Sequence, residues 1–188
     1  IGIDLGITDL AVLSNGTKVQ APKPLKSKLK QLRRLSKQLS RKQKGSKNRE
    51  KAKTKLSRLH AKIGNIRSNS LHQITTYLVS EYDVLAIEDL NVSGMVKNRK
   101  LSRAISDLGF YELKRQLIYK ANQWGKAVKS VDRFYPSTKT CHYCSHKVDE
   151  LPLSVRMWQC PSCHTQHDRD INASINIKTV GTAELVCG

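Results

Sequence analysis

The chain has no apolar run approaching the roughly 20 residues that a membrane-spanning helix needs. No positively charged, apolar, small-residue succession of the secretory kind opens it. A soluble protein of a reducing, intracellular compartment is therefore expected, with no membrane partner. No Ser-His-Asp or Cys-His arrangement offers a side-chain nucleophile, and no segment repeats. There is no initiating Met, and Ile1-Gly2-Ile3 already reads as strand, so a piece of a longer protein is expected. Negative charge is scarce: 15 Asp and Glu face 34 Lys and Arg, a formal net charge of +19. That imbalance suits a polyanion, and nucleic acid is the default partner. At 188 residues the chain can bury one core and a small satellite.

What is present divides into three kinds of pattern. Ile3, Leu5 and Ile7 alternate, Leu10 to Leu13 is apolar, and Ser14-Asn15-Gly16 supplies a turn, which predicts an antiparallel meander over residues 1–20. Leu25, Leu29, Leu32, Leu35 and Leu39, then Ala52, Leu56, Leu59, Ile63 and Ile66, recur at helical seam spacing on either side of Gly45-Ser46. This predicts a helical hairpin over about 25–80, dense in Lys and Arg from Lys26 to Arg58. Lys37, Arg41, Lys44, Lys47 and Arg49 are candidates for tracking nucleic-acid phosphates, against the alternative of an ordinary solvated face. A buried strand is expected over 84–90, then a polar loop from Asn91 to Lys100. One helix should carry Ile105, Leu108, Leu113, Leu117, Ala121 and Trp124 to a stop at Gly125. A strand over 127–131 and a break at Phe134-Tyr135-Pro136-Ser137 precede the cysteines. A last helix starts near Asp168 to Asp170 and fades around Gly181.

Cys141-His142-Tyr143-Cys144 and Cys160-Pro161-Ser162-Cys163 form a C-x2-C-x15-C-x2-C array, the spacing of two knuckles that turn four thiolates toward one tetrahedral zinc. Four thiolates leave no open coordination position, so the site is structural. Two disulfides are the competing reading, disfavoured by a reducing compartment. His142, His146, His164 and His167 stand in reserve as ligands, and Cys187 is left over as a space-filling residue. Three carboxylates end or open apolar segments: Asp4 in Ile1-Gly2-Ile3-Asp4, Glu88 in Val84-Leu85-Ala86-Ile87-Glu88, and Asp170 at the start of the last helix. Singly they read as a turn residue, a surface charge and a helix cap. Together they offer hard oxygen ligands for Mg²⁺ or Mn²⁺. Asp9, Asp89 and Asp168 are near competitors, but Asp170 shares a helix face with Ala173 and Ile177 and is the better aimed.

In these residues the sequence resembles the RuvC-like nuclease region of the TnpB family, transposon-encoded RNA-guided DNA endonucleases related to type V CRISPR effectors. The matching stretches are Gly2-Ile3-Asp4-Leu5-Gly6, Lys44-Gly45-Ser46-Lys47-Asn48-Arg49, Ile87-Glu88-Asp89-Leu90-Asn91, the cysteines from Cys141 to Cys163, and Asp168-Arg169-Asp170-Ile171-Asn172-Ala173. Thr138, Ser145, His164 and Ser174 depart from the family's usual Ser, Gly, Gly and Ala, and none of these changes removes an acid or a zinc ligand. The resemblance implies an α/β, RNase H-like (RuvC) mixed sheet with a helical-hairpin insertion. The nuclease domain would span 1–136 and 168–188, with a zinc ribbon inserted at 137–167. It implies catalytic acids at Asp4, Glu88 and Asp170 holding two Mg²⁺ or Mn²⁺ ions, with Asp4 bridging them and water attacking the phosphodiester in line, and one structural Zn²⁺ on Cys141, Cys144, Cys160 and Cys163. Arg169 is a candidate phosphate contact, and Asn172 a candidate support for Asp170, against the equal alternative of ordinary helix-turn capping. Guide RNA and target DNA are the implied partners, in the cytoplasm of a prokaryote and associated with the nucleoid; the sequence sets no oligomeric state. A transposase or junction resolvase on the same fold, and a non-catalytic nucleic-acid-binding zinc-ribbon module, are the alternatives.

Overall fold

The computed structural model describes residues 1–183; Cys187 lies outside them. Its centre is a five-stranded mixed sheet built from β1 (Gly2–Leu5), β2 (Ala11–Leu13), β3 (Lys18–Val19), β4 (Val84–Glu88) and β5 (Ala127–Val131), in the order β3-β2-β1-β4-β5. The first three strands form the expected meander. β1 pairs antiparallel with β2, β2 with β3, and the turn between them uses Gly16 at φ +87°. β4 then joins β1 in parallel, and β5 joins β4 in parallel. Parallel neighbours require long crossovers, and helices supply both of them.

The first crossover is a helical hairpin, α1 (Pro24–Ser40) and α2 (Lys47–Glu81), joined through Gly45. Proline opens α1, where its missing N–H costs nothing. The buried Asp107 carboxylate completes the cap, accepting from the Leu25 and Lys26 amides at 2.9 Å each. Ser46 caps α2 by accepting from the Arg49 amide. At 35 residues α2 runs about 52 Å. Its C-terminal half (Leu71, Leu78, Val79) enters the core, whereas the leucines of α1 stay half-buried.

The second crossover differs from expectation twice. Asn91 accepts from the Gly94 amide and caps a short helix, α3 (Val92–Lys97), inside the stretch expected as loop. The single helix expected over 105–124 is two, α4 (Ser102–Leu108) and α5 (Phe110–Gln123), broken at Gly109, whose φ of +72° turns the chain by a left-handed step. Leu108 and Phe110 are both buried, so the apolar periodicity runs through the break and hides it.

After β5 come the cysteines and a two-stranded ribbon, β6 (Met157–Gln159) with β7 (Gln166–Asp168), followed by the last helix α6 (Arg169–Ala183). Ile3, Leu85 and Ile87 pack with α2, α4 and α5 on one face of the sheet, while Ala86, Val131 and Ile177 form a smaller core under α6 on the other. Among the described residues no helix is long and apolar enough to cross a membrane.

Candidate metal centres

Strand alternation decides where the acids go. Ile3 pairs with Ile87, and both point into the larger core, so Asp4 and Glu88, one residue on, point to the face that α6 covers. Val131, the partner of Glu88, lies on that same face. Helix α6 comes down unusually close: a Cβ on Gly2 would sit 1.9 Å from the Ser174 carbonyl oxygen. Only glycine allows this approach, which carries Asp170, in the first turn of α6, toward Asp4. Burial, then the charges of Glu88 and Asp170, push the Asp4 carboxyl up from 3.8 to about 8, with Arg169 and Arg156 pulling back. Burial also raises Glu88. The three acids thus share one electrostatic field.

A positive charge already stands in that field. Arg156, at the entrance to β6, donates through one guanidinium nitrogen to both Asp170 oxygens, at 3.1 and 2.8 Å. Even so, oxygen donors of one sign, two of them driven toward protonation, suit a hard divalent cation. The nearby acids are committed elsewhere. Asp168 caps α6 by accepting from the Asp170 and Ile171 amides and is paired with Lys18 at 3.0 Å. Asp89 is held by Lys114 and Arg133, and Asp9 accepts from Gln20.

The cysteines form a closed set. Cys141 and Cys163 stand 3.6 Å apart, as do Cys144 and Cys160. A tetrahedron of Zn–S bonds near 2.3 Å has edges of about 3.8 Å, so four sulfurs at this spacing fit zinc. Each knuckle closes through a left-handed residue, Ser145 at φ +61° and His164 at φ +58°, the two knuckle positions at which the resemblance led to the expectation of glycine. Burial pushes the Cys141 thiol up to about 12, while the Thr165 hydroxyl and amide draw Cys163 down to about 6. Of the four reserve histidines, His167 comes nearest. Its Nε2 lies 3.1 Å from Cys141 Sγ, so it neighbours a thiolate position that four cysteines already fill.

Asn172, expected beside Asp170, serves the ribbon instead. Its Oδ1 accepts from the His142 amide at 3.0 Å and its Nδ2 donates to the Thr140 carbonyl at 2.8 Å. Asn176, one turn on, donates to the Ser137 and Thr140 carbonyls at 2.8 and 2.6 Å. Both asparagines are buried, and together they fasten the first knuckle to the helix that carries Asp170. Two asparagines four apart among apolar residues were a visible signal of such a clamp. For Arg156 the sequence held none.

On the basic hairpin, Lys37, Arg41, Lys44 and Lys47 are exposed as expected. Two candidate cations are otherwise engaged. Arg49 folds back to donate to the Leu39 and Lys42 carbonyls, closing the C-terminus of α1. Arg169 is buried and donates to the Pro152 carbonyl at 2.8 Å, so it pins a ribbon loop and is not offered to phosphate.

Residues 1–99 match the OrfB_IS605 family, described as a probable transposase, and this is just over half of the chain. The chain belongs to the OrfB_IS605 family. Residues 110–177 match the Cas12f1-like TNB domain. A relative from Streptomyces pristinaespiralis, described as "Putative RNA-guided DNA endonuclease", is 44% identical across the whole chain, which covers 46% of that protein. InsQ of Escherichia coli K12, similarly described, is 38% identical, with all of this chain and 50% of InsQ covered. The chain thus spans about half the length of the curated relatives it matches. A solved Cas12f1–sgRNA–target DNA complex contains a chain of TM-score 0.66 and 16% identity, covering 97% of this chain and 49% of that one. The resemblance to TnpB and type V effectors read from the motifs therefore holds, and the mixed α/β fold is that of Cas12f1 structures. The OrfB_IS605 chain carries its acids in both matched segments, Asp4 and Glu88 in the first and Asp170 in the second.

Proposed function

We propose that this OrfB_IS605 chain is the RNase H-like (RuvC) nuclease region of an RNA-guided DNA endonuclease, with Asp4, Glu88 and Asp170 as its catalytic metal ligands. The observation that carries this is the convergence of the three carboxylates on the α6 face, where burial first, and then the charges of Glu88 and Asp170, raise Asp4 to about 8. Carboxylates held near one another in metal-free surroundings raise each other's proton affinity, and a divalent ion relieves the same repulsion. Two Mg²⁺ or Mn²⁺ ions bound there would supply a nucleophilic water and stabilise the leaving oxygen. Asp4 and Glu88 fix their carboxylates from adjacent strands. The clamp through Asn172 and Asn176 sets the angle at which α6 presents Asp170, and Arg156 balances charge beside it. One zinc on Cys141, Cys144, Cys160 and Cys163 would hold the ribbon over 137–167, between the nuclease segments 1–136 and 168–188.

The relatives' descriptions support guide RNA and target DNA as partners and their bacterial sources support a prokaryotic setting, in which the chain would act in the cytoplasm at the nucleoid. Exposed Lys37, Arg41, Lys44 and Lys47 would hold nucleic-acid backbone without reading sequence. The test uses the full-length protein purified with its co-purifying RNA, assayed for Mg²⁺-dependent cleavage of matched DNA. Alanine at any one of the three acids should abolish cleavage and spare binding, and normal cleavage by one of them sinks the assignment. Because the family is described as a probable transposase, product analysis also separates strand transfer, which yields joined ends, from hydrolysis, which yields free 5′-phosphate and 3′-hydroxyl ends.

A further inference from the structure

The four cysteine sulfurs are not equally accessible. Cys144 is exposed and Cys163 half-buried, whereas Cys141 lies under the His167 ring and Cys160 in the small core with Trp158. Each accessible sulfur has a buried one of the other knuckle beside it, Cys144 with Cys160 and Cys163 with Cys141, both at 3.6 Å. The same two knuckles hold α6. Asn172 grips the amide of His142, which lies between Cys141 and Cys144, and the second knuckle runs through β7 directly into the helix. A covalent change at the sulfurs therefore has a short route to Asp170, two residues before Asn172.

We propose that this cysteine set is also a modification site for hydroperoxides: an accessible thiolate is oxidised, its buried neighbour in the other knuckle closes a disulfide with it, the zinc is released, and α6 loses its hold. The Cys144 thiolate attacks one oxygen of the hydroperoxide. The O–O bond breaks, the sulfur becomes a sulfenic acid, and the other oxygen departs as hydroxide or alkoxide. Cys160 then attacks the Cys144 sulfur, so that the S–S bond forms as the S–O bond breaks and hydroxide departs. Two thiolates are oxidised for one peroxide reduced, and a second peroxide joins Cys163 to Cys141 in the same way. Each disulfide removes two charged ligands, which leaves too few to keep the metal. Drawing two sulfurs from 3.6 Å to the about 2.05 Å of a disulfide shifts the knuckles against each other, and with them the His142 amide that Asn172 holds. Links between the knuckles also keep the ribbon tied in the oxidised state, so a dithiol reductant and zinc restore it. Loss of cutting under peroxide rests on the nuclease reading; the oxidation itself does not.

The test treats full-length, zinc-loaded protein with hydrogen peroxide. It reads zinc release with a chromophoric chelator, disulfide pairing by unreduced peptide mass mapping, and hydrogen exchange over α6. Zinc should be released as Cys144 pairs with Cys160, followed by Cys163 with Cys141, and exchange over 169–183 should quicken. Dithiothreitol with added zinc should reverse all three. Asn172→Ala should release zinc and form the same pairs, but its α6 should exchange quickly before peroxide is added and change little afterwards. Pairing within a knuckle, Cys141 with Cys144 or Cys160 with Cys163, overturns the proposal. So do sulfinic acids in place of disulfides, zinc retained after the disulfides form, and α6 exchange that peroxide leaves unchanged in the wild type. Cleavage of matched DNA should be lost and regained with the same treatments. Reduced, zinc-loaded protein that does not cut would instead overturn the nuclease reading, leaving the modification site to be judged by its zinc release and mass map.

Discussion

The cysteine centre and the carboxylate centre sit on either side of one helix turn and are built on opposite logic. Around the cysteines the backbone closes each knuckle, the sulfurs already stand at tetrahedral spacing, and His167, Thr165 and Asn172 occupy the surroundings. Around Asp4 the carboxylates proposed as ligands are few and of like charge, and an arginine holds one of them. A structural site benefits from complete coordination, because a ribbon this small has little apolar core beyond Cys141, Trp158 and Cys160. A site meant for chemistry benefits from unsatisfied charge, which gives an incoming cation something to relieve and leaves room for substrate.

The largest expected effect separates the two centres. Glu88→Gln or Asp170→Asn in the full-length protein should lower cleavage at least about 10³-fold, some 4 kcal/mol of barrier, while elemental analysis still finds one zinc per chain. Cys160→Ser should lose the zinc, the hydrogen-exchange protection of 137–167 and the cleavage together. Zinc-free wild-type protein, prepared without chelator and still folded over 137–167, would break the comparison on its structural side.

Next in size is a pH effect confined to the carboxylates. Asp4 binds its proton up to about pH 8 in the fold, against 3.8 for an ordinary Asp, so between those values the native state holds more protons than the unfolded chain. Native stability in Mg²⁺-free buffer therefore falls as pH rises through that window, and Glu88 acts with the same sign. Urea titrations at a series of pH values should show this slope reduced in Asp4→Asn and reduced again by Mg²⁺ in the wild type. A slope identical in Asp4→Asn would mean that the acids do not share a field.

A smaller change tests the arginine. Arg156→Gln removes a cation that competes for Asp170, and a half-exposed ion pair is worth about 0.2–1 kcal/mol. Divalent-ion affinity, read by Mn²⁺ relaxation enhancement, should rise about two- to fivefold; a fall would make Arg156 part of the ion's support. Of similar size, Ser145→Gly and His164→Gly should each stabilise the zinc-bound ribbon by about 0.5–1 kcal/mol in thermal unfolding, since glycine takes their left-handed φ without strain.

These centres were not equally visible beforehand. Two-residue cysteine spacing and the period-two alternation of Ile1-Gly2-Ile3-Asp4 and Ala86-Ile87-Glu88 are local rules, and they bring Asp4 and Glu88 to one face without knowledge of the rest. The meander and the hairpin were legible for the same reason. Helix α3 was obscured because Asn91 reads equally as loop or cap, and the break at Gly109 because buried residues on both sides keep the helical period. Arg156 with Asp170, Lys18 with Asp168 and Asp107 with the start of α1 are unions of distant segments, settled by packing and unmarked in any local pattern. The carbonyl bonds of Arg49 and Arg169 were hidden for the same reason, since a cation reads as surface charge until the carbonyls it meets are known.

The close seat of α6 on Gly2 also governs the order in which the molecule is made. Asp4 and Glu88 leave the ribosome before Asp170 and can pair through β1 and β4, but Asp170 rides on α6 and reaches them only after the segment between β4 and α6 has emerged. At the usual 5–20 residues per second that interval is on the order of ten seconds or more. On the proposed assignment, a nascent or prematurely terminated chain that carries the full basic hairpin without α6 holds nucleic acid with an incomplete set of acids, and becomes able to cut only when α6 has joined the sheet.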